Sequence, residues 1–237
     1  MKYPFVFFDL TDTLIRKSPT FEEASIQALN SAGIYVSMEE MKLANEYAEL
    51  WIGEQILREQ KSGERMPDEV FNRSICQVIE QHIPCPDHAK KAEEILFSLL
   101  NTGYKYQYVL IEGVWETLTE LKKRGHRMAV VSNNPPKIRF EIKRLKITDF
   151  FEEIILSSEV ELEKPDPKIL NLACQNLGAD PAQTIYIGDH PLDVYCANLA
   201  NIASAWYMEK KTADLEAYNP YQPNYRISSM WELRLIV

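Results

Sequence analysis

The sequence predicts an α/β protein in three layers, a parallel sheet between helices, with an all-helical segment inserted after the first strand. Three observations predict it. An apolar, β-prone run, Phe5-Val6-Phe7-Phe8, delivers Asp9 at its carboxyl end, as a strand buried on both faces does. From Thr13 to about Tyr104 the pattern is helical, with no strand signal of comparable quality. From about Val109 strands and helices alternate, the pattern of parallel strands joined by right-handed crossovers. The first strand has no place in a helical segment and joins the later sheet. The expected division is a discontinuous core of residues 1–14 and 109–237 around a helical insert of 15–108.

Each element has its own signal. Phe21 to Ala32 carries Ala24, Ile26, Ala28 and Leu29 between polar residues, and Met38 to Leu57 places Met41, Ala44, Tyr47, Ala48, Trp51 and Ile52 at helical spacing. Asp68 to Ile83 and Ala89 to Leu100 read as two more helices. Pro84 and Pro86 separate them, because proline cannot continue a helix interior. Val114 to Lys123 is a helix closed by Gly125, and Arg127 to Ser132 is an apolar, β-branched strand. Ile138 to Leu145 is helical, and Glu153 to Ser157 is a strand around Ile154-Ile155-Leu156. Asp166 caps a helix with Pro167 at its first position, and Gly178 ends it. Thr184 to Ile187 is a strand, a helix runs through Val194 and Ala200, and Ile202 to Tyr207 is a further strand. Tyr218 through Tyr225, with Pro220 and Pro223, reads as an ordered surface connection. Ser229 and Glu232 have capping-box spacing for a short terminal helix.

Composition narrows the function. A formal charge of −9 argues against a broad nucleic-acid surface, which needs a basic stripe. No apolar stretch reaches the roughly 20 residues of a membrane span, and the apolar run near Met1 is too short for a signal peptide and broken by Asp9. Cys76, Cys85, Cys174 and Cys196 show no CxxC pairing and no zinc-ligand spacing. They read as buried free thiols in a cytoplasmic protein. Oligomeric state is not readable from the sequence.

Three strands end in polar side chains: Asp9, Ser132-Asn133, and Gly188-Asp189. In parallel sheets ligands gather at these carboxyl ends. Four motifs, Asp9-Leu10-Thr11-Asp12-Thr13, Val131-Ser132-Asn133, Lys164-Pro165, and Gly188-Asp189 with Asp193 four residues on, resemble in order and spacing those of the haloacid dehalogenase superfamily. The resemblance implies a Rossmann-like core and a helical cap of the type inserted after the first motif. It also implies hydrolysis of a small phosphorylated metabolite, a phosphate monoester, through an aspartyl-phosphate. Asp9 is then the nucleophile. Asp9, Asp189 and the backbone carbonyl of Thr11 hold Mg²⁺, and Asp193 is an outer group orienting a metal-bound water or Lys164. Lys164 neutralises the nucleophile and the phosphoryl group. Ser132 and the amide of Asn133 hold phosphate oxygens, and Thr13 anchors the nucleophile loop.

One position departs from the pattern. Superfamily phosphatases carry Asp two residues after the nucleophile, as the acid that protonates the leaving alcohol and the base that activates water. Here that residue is Thr11, and general acid–base catalysis is worth about 10²–10⁴-fold. Four readings stay open: a slow or narrowly specific phosphatase, with proton transfer from Thr11, Asp12, the insert or the substrate; a long-lived phosphoenzyme, as in P-type ATPases, whose similar motif also has Thr; a non-catalytic member that binds a phosphorylated ligand or a protein; and, more weakly, a 2-haloacid dehalogenase. In the insert, Trp51, Gln55 and Arg58 share part of one helix, and Arg16 and Lys17 follow the nucleophile loop.

Overall fold

A computed structural model describes residues 2–208 and 222–237, so Tyr218 and Pro220 of the expected surface connection lie outside the described residues. The chain opens with β1 (Phe5–Phe8) and β2 (Ile15–Ser18). It then builds α1 (Phe21–Ser31), α2 (Met38–Ser62), α3 (Asp68–Gln81) and α4 (Ala89–Thr102), and returns through β3 (Gln107–Leu110). Next come α5 (Val114–Lys123), β4 (Arg127–Ser132), α6 (Ile138–Arg144), β5 (Glu153–Leu156), α7 (Ser157–Val160) and α8 (Lys168–Leu177). β6 (Thr184–Gly188), α9 (Pro191–Leu199), β7 (Ala203–Tyr207) and β8 (Tyr225–Ile227) follow, and a 3₁₀ turn, Met230–Leu235, comes last. Two compact units result. Among the described residues, 2–16, 108–208 and 222–237 form the first, and 17–107 form the second.

The first unit is a six-stranded sheet in the order β5-β4-β1-β6-β7-β8, and every pairing is parallel. β1 lies at the centre, with Phe5–Phe8 in register with Arg127–Val130 on one side and Thr184–Ile187 on the other. Successive side chains alternate faces. Val6 and Phe8 join one core with Leu118 and Leu121 of α5 and Ile142 of α6. Phe7 joins the opposite core with Ile169 and Ala173 of α8 and Ala197 of α9. Burial on both faces is why this strand reads as an unbroken apolar run. Each such side chain contributes about 1.5–3 kcal/mol.

The second unit has its own core, built from Leu29, Met41, Ala44, Ala48, Ile75, Ile79, Ala92 and Leu96 of its four helices. Thr20 with Glu23 and Ser37 with Glu40 form capping boxes at the starts of α1 and α2. α2 runs five residues past the expected Leu57 and stops where Gly63 takes the left-handed conformation, φ 74°. Trp51 packs on Phe71 with ring centroids 5.4 Å apart, Arg58 pairs with Glu54, and Lys17 lies 4.7 Å from the Tyr106 ring centre.

Differences from the sequence reading are local. β2 and β3 pair as a two-stranded ribbon that the sequence did not announce, and β8 adds an edge strand of three residues. The terminal helix is 3₁₀, and its box is divided: Ser229 Oγ accepts from Trp231 N, while Glu232 turns back to Ser228. Asp166 Oδ1 accepts from Lys168 N at 2.9 Å, the expected cap. Just before β4, His126 is buried, with Nδ1 2.9 Å from the Tyr3 carbonyl oxygen. A carbonyl only accepts, so Nδ1 carries the proton. Nε2 is left buried without a partner.

Candidate active site

Asp9, Thr11, Thr13, Ser132, Asn133, Lys164, Asp189 and Asp193 all belong to the first unit. Three adjacent strands deliver Ser132, Asp9 and Asp189. β4 ends on Ser132, β1 delivers Asp9, and β6 runs into Asp189. Strand order reverses around β1, and such a switch point opens a crevice at the carboxyl ends.

The chain after Asp9 turns sharply. Leu14 N and Ile15 N both donate to Leu10 O, and Asp12 N donates to Ile15 O at 2.7 Å. Asp12 occupies the left-handed region at φ 61°, which Asp tolerates better than most residues. Leu10 and Leu14 bury into the core beneath. The turn therefore swings Thr13 inward, where its hydroxyl donates to Asp189 Oδ1 at 3.0 Å. Asp12 stays exposed and Thr11 half-buried.

Asp9 is 6 % exposed, and Ser132 Oγ (2.8 Å) and Lys164 Nζ (2.6 Å) both donate to its Oδ1. Lys164 also donates to Asp193 Oδ1 at 2.5 Å and to the Tyr186 hydroxyl at 3.0 Å. An ammonium has three hydrogens, so this set uses all of them. The Tyr186 hydroxyl in turn donates to Val131 O at 2.7 Å. Its single proton is spent there, and its 3.4 Å approach to Asp193 Oδ1 is contact without donation. Asp193 Oδ2 accepts from His190 N at 3.0 Å, closing a capping box on α9. Gly188 is required by this packing, since a Cβ there would overlap the Asp193 side chain.

Lys164 comes from a loop, and Asn133 fixes it. Asn133 Nδ2 donates to Lys164 O (3.0 Å) and Lys164 N donates to Asn133 Oδ1 (2.9 Å), a reciprocal pair like one rung of a strand ladder. The side chain of Asn133 is thus occupied.

Burial pushes the Asp9 carboxyl up to about 6, against the opposing pull of Lys164 and with Asp193 adding to the rise. Burial would push the Lys164 ammonium down, but Asp193 and Asp9 outweigh it and hold it above its ordinary value. Burial, together with the same two carboxylates, drives the Tyr186 phenol well above its usual range, so it stays protonated.

Carboxylate oxygens of Asp9, Asp189 and Asp193 lie within 4.8 Å of one another. Three carboxylates against one ammonium leave a formal surplus of two negative charges. Hard oxygen donors with that surplus fit a divalent cation.

A family model for haloacid dehalogenase-like hydrolases matches residues 6–207. The chain belongs to this family. A glyceraldehyde 3-phosphate phosphatase from Methanopyrus kandleri is 28% identical over 98% of this chain and 96% of its own length. The pyrophosphatase PpaX of Bacillus cereus is 32% identical over 55% of this chain and 63% of its own length. Among solved structures, the HAD-hydrolase YfnB of Bacillus subtilis, bound to magnesium, covers 100% of this chain and 99% of its own with a TM-score of 0.64 at 19% identity. The L-2-haloacid dehalogenase RSc1362 covers 98% and 97% with a TM-score of 0.65 at 18% identity. These two likenesses show the shared haloacid dehalogenase fold.

Two residues of this haloacid dehalogenase-like site escaped the sequence reading. Tyr186 is the one side chain with a polar tip in the buried centre of β6, and a buried phenol needs a partner. Asn134 follows the Ser-Asn motif directly. Its Nδ2 donates to Ser132 Oγ at 2.8 Å and to Thr11 Oγ1 at 3.1 Å.

Proposed function

We propose that the protein is a Mg²⁺-dependent phosphohydrolase that removes phosphate from a small phosphorylated metabolite through an aspartyl-phosphate on Asp9. The observation that carries this reading is Asp9 itself, a buried carboxylate at the end of the central strand, paired with Lys164 and within metal-sharing distance of Asp189. The names of the two relatives, a sugar-phosphate phosphatase and a pyrophosphatase, agree with it.

Each role has support. Asp193 spends both oxygens on Lys164 and His190, which leaves Asp9 and Asp189, with the Thr11 carbonyl, to hold Mg²⁺. Bound there, Mg²⁺ would screen the repulsion between Asp9 and an incoming phosphate. Lys164, its hydrogens committed to protein atoms, would act on the phosphoryl group through its charge. At the end of β4 beside Asp9, the Asn133 backbone N–H would hold a non-reacting phosphate oxygen, and Ser132 would do so once its hydrogen turns from Asp9 Oδ1. Thr13 would hold Asp189, and Asp193 would hold Lys164. The helical unit, inserted after the nucleophile strand, would serve as the cap that selects substrate. Four free, buried cysteines agree with a reducing, cytoplasmic setting, and among the described residues no helix is long and apolar enough to cross a membrane.

Purified protein assayed against phosphorylated metabolites should release phosphate with Mg²⁺ and lose this on chelation with EDTA. Asp9→Asn should lower turnover by about 10³-fold or more. Equal rates for wild type and Asp9→Asn on every substrate would end the enzymatic reading. Ligand protection in a thermal melt without turnover would favour a non-catalytic phosphate-binding member, the reading that Thr11 keeps open.

A further inference from the structure

We propose that this site is built for phosphoryl compounds whose leaving group departs as a stable anion, acyl phosphates and phosphoanhydrides, in preference to alkyl phosphate esters. The proposal rests on the aspartyl-phosphate reading and names its substrate class. It is carried by the fixed surroundings of Thr11. One amide nitrogen, Asn134 Nδ2, donates to both Thr11 Oγ1 (3.1 Å) and Ser132 Oγ (2.8 Å), and Ser132 donates onward to Asp9 Oδ1 (2.8 Å). Thr11 is therefore held in the network of the nucleophile, two residues beyond it, with an alcohol where a carboxylic acid would protonate a leaving oxygen. An aliphatic alcohol is about as weak an acid as water, so near neutral pH it offers a hydrogen bond and no proton.

Asp189, Asp193 and Lys164 do not replace that acid. Asp189 Oδ1 accepts from Thr13, and Asp193 accepts through Oδ1 from Lys164 and through Oδ2 from His190 N, so the oxygens in these bonds accept and do not donate. Lys164 directs its three hydrogens at Asp9, Asp193 and Tyr186. An alkoxide leaving group is about as basic as hydroxide and needs a proton as it departs. A carboxylate, of pKa about 4, or a phosphate, of second pKa about 6, needs none.

The steps balance without an added acid. The Asp9 carboxylate forms a bond to phosphorus while the phosphorus–oxygen bond to the acyl group breaks, and its electron pair leaves with the carboxylate. No proton moves. Water then attacks the aspartyl-phosphate, the bond between phosphorus and the Asp9 oxygen breaks, and both hydrogens of water depart on dihydrogen phosphate as the Asp9 carboxylate is restored.

The test uses the full chain with Mg²⁺ and a graded set: acetyl phosphate, aryl phosphates of decreasing leaving-group acidity, and an alkyl phosphate. Wild type, Thr11→Asp and Asp9→Asn are compared by kcat/KM and by the intact mass of acid-quenched protein. In wild type, kcat/KM should fall about 10²–10⁴-fold from acyl to alkyl donor, and a phosphoryl adduct should form from acetyl phosphate and not from the alkyl ester. Thr11→Asp should recover alkyl turnover and narrow that ratio. The proposal is overturned if wild type treats the two ends of the series within about tenfold, if alkyl and acyl donors leave equal adduct, or if Thr11→Asp leaves the ratio unchanged. Should Thr11→Asp fail to fold, the wild-type series and the adducts decide alone. Acetyl phosphate turnover that survives in Asp9→Asn would instead remove the aspartyl-phosphate reading itself.

Discussion

At the scale of residues, the sequence singled out candidate groups at strand ends better than it showed whom they touch. Asp9, Ser132 and Asp189 stand out because each closes an apolar strand. The partnership of Asn133 with Lys164 was not legible, since it depends on where two loops about 30 residues apart meet. Nor was the part played by Tyr186, whose hydroxyl links Lys164 to the Val131 carbonyl. Tyr186→Phe removes both links and leaves that carbonyl buried without a donor. We expect a loss of about 1–3 kcal/mol, read as a fall in Tm of about 2–4 °C per kcal/mol. With the third acceptor of Lys164 gone, kcat should fall more than KM rises, and an unchanged kcat would mean that Tyr186 only supports packing.

At the scale of elements, those with long periodicity or clear caps were legible, and the short ones were not. β2 reads Ile-Arg-Lys-Ser, too short and polar to signal a strand, and it exists because β3 pairs with it. The terminal 3₁₀ turn likewise owes its form to packing of Met230 and Leu233 on the sheet core. Two substitutions probe elements. Gly188→Ala places a methyl inside the volume of Asp193, so the turn from β6 to α9 must open. A cost of about 1–3 kcal/mol is expected, with weaker Mg²⁺ binding in a titration, and wild-type stability and affinity would contradict that packing. In the helical unit, Leu96 of α4 is fully buried. Leu96→Ala should cost about 2–5 kcal/mol in denaturant unfolding.

At the scale of the whole molecule, stability should depend on pH and on metal. Burial holds the folded pKa of His126 below its ordinary 6.5, so the folded state resists a proton that the unfolded chain accepts. The stability this neutral imidazole supports is full above about pH 6.5 and is lost as pH falls through the folded value. Tm should therefore drop between pH 8 and 5 less steeply in His126→Gln, which keeps an N–H for Tyr3 and does not titrate. Equal slopes would count against it. Mg²⁺ at about a hundred times its Kd should add about 2.7 kcal/mol, and Asp189→Asn should lose most of that gain.

The central place of β1 also has a consequence for the growing chain. Both neighbours of this strand lie far downstream, with Arg127 the first residue to meet Phe5, about 120 positions later. At about 5–20 residues per second, the ribosome needs roughly 6–24 s to make that stretch. Throughout that time the most apolar segment of the core waits with its backbone edges open, while the helical unit is completed behind it. Newly made protein should therefore engage a chaperone through its first ten residues, and charge introduced at Phe7 should weaken that engagement before any fold exists to be disturbed.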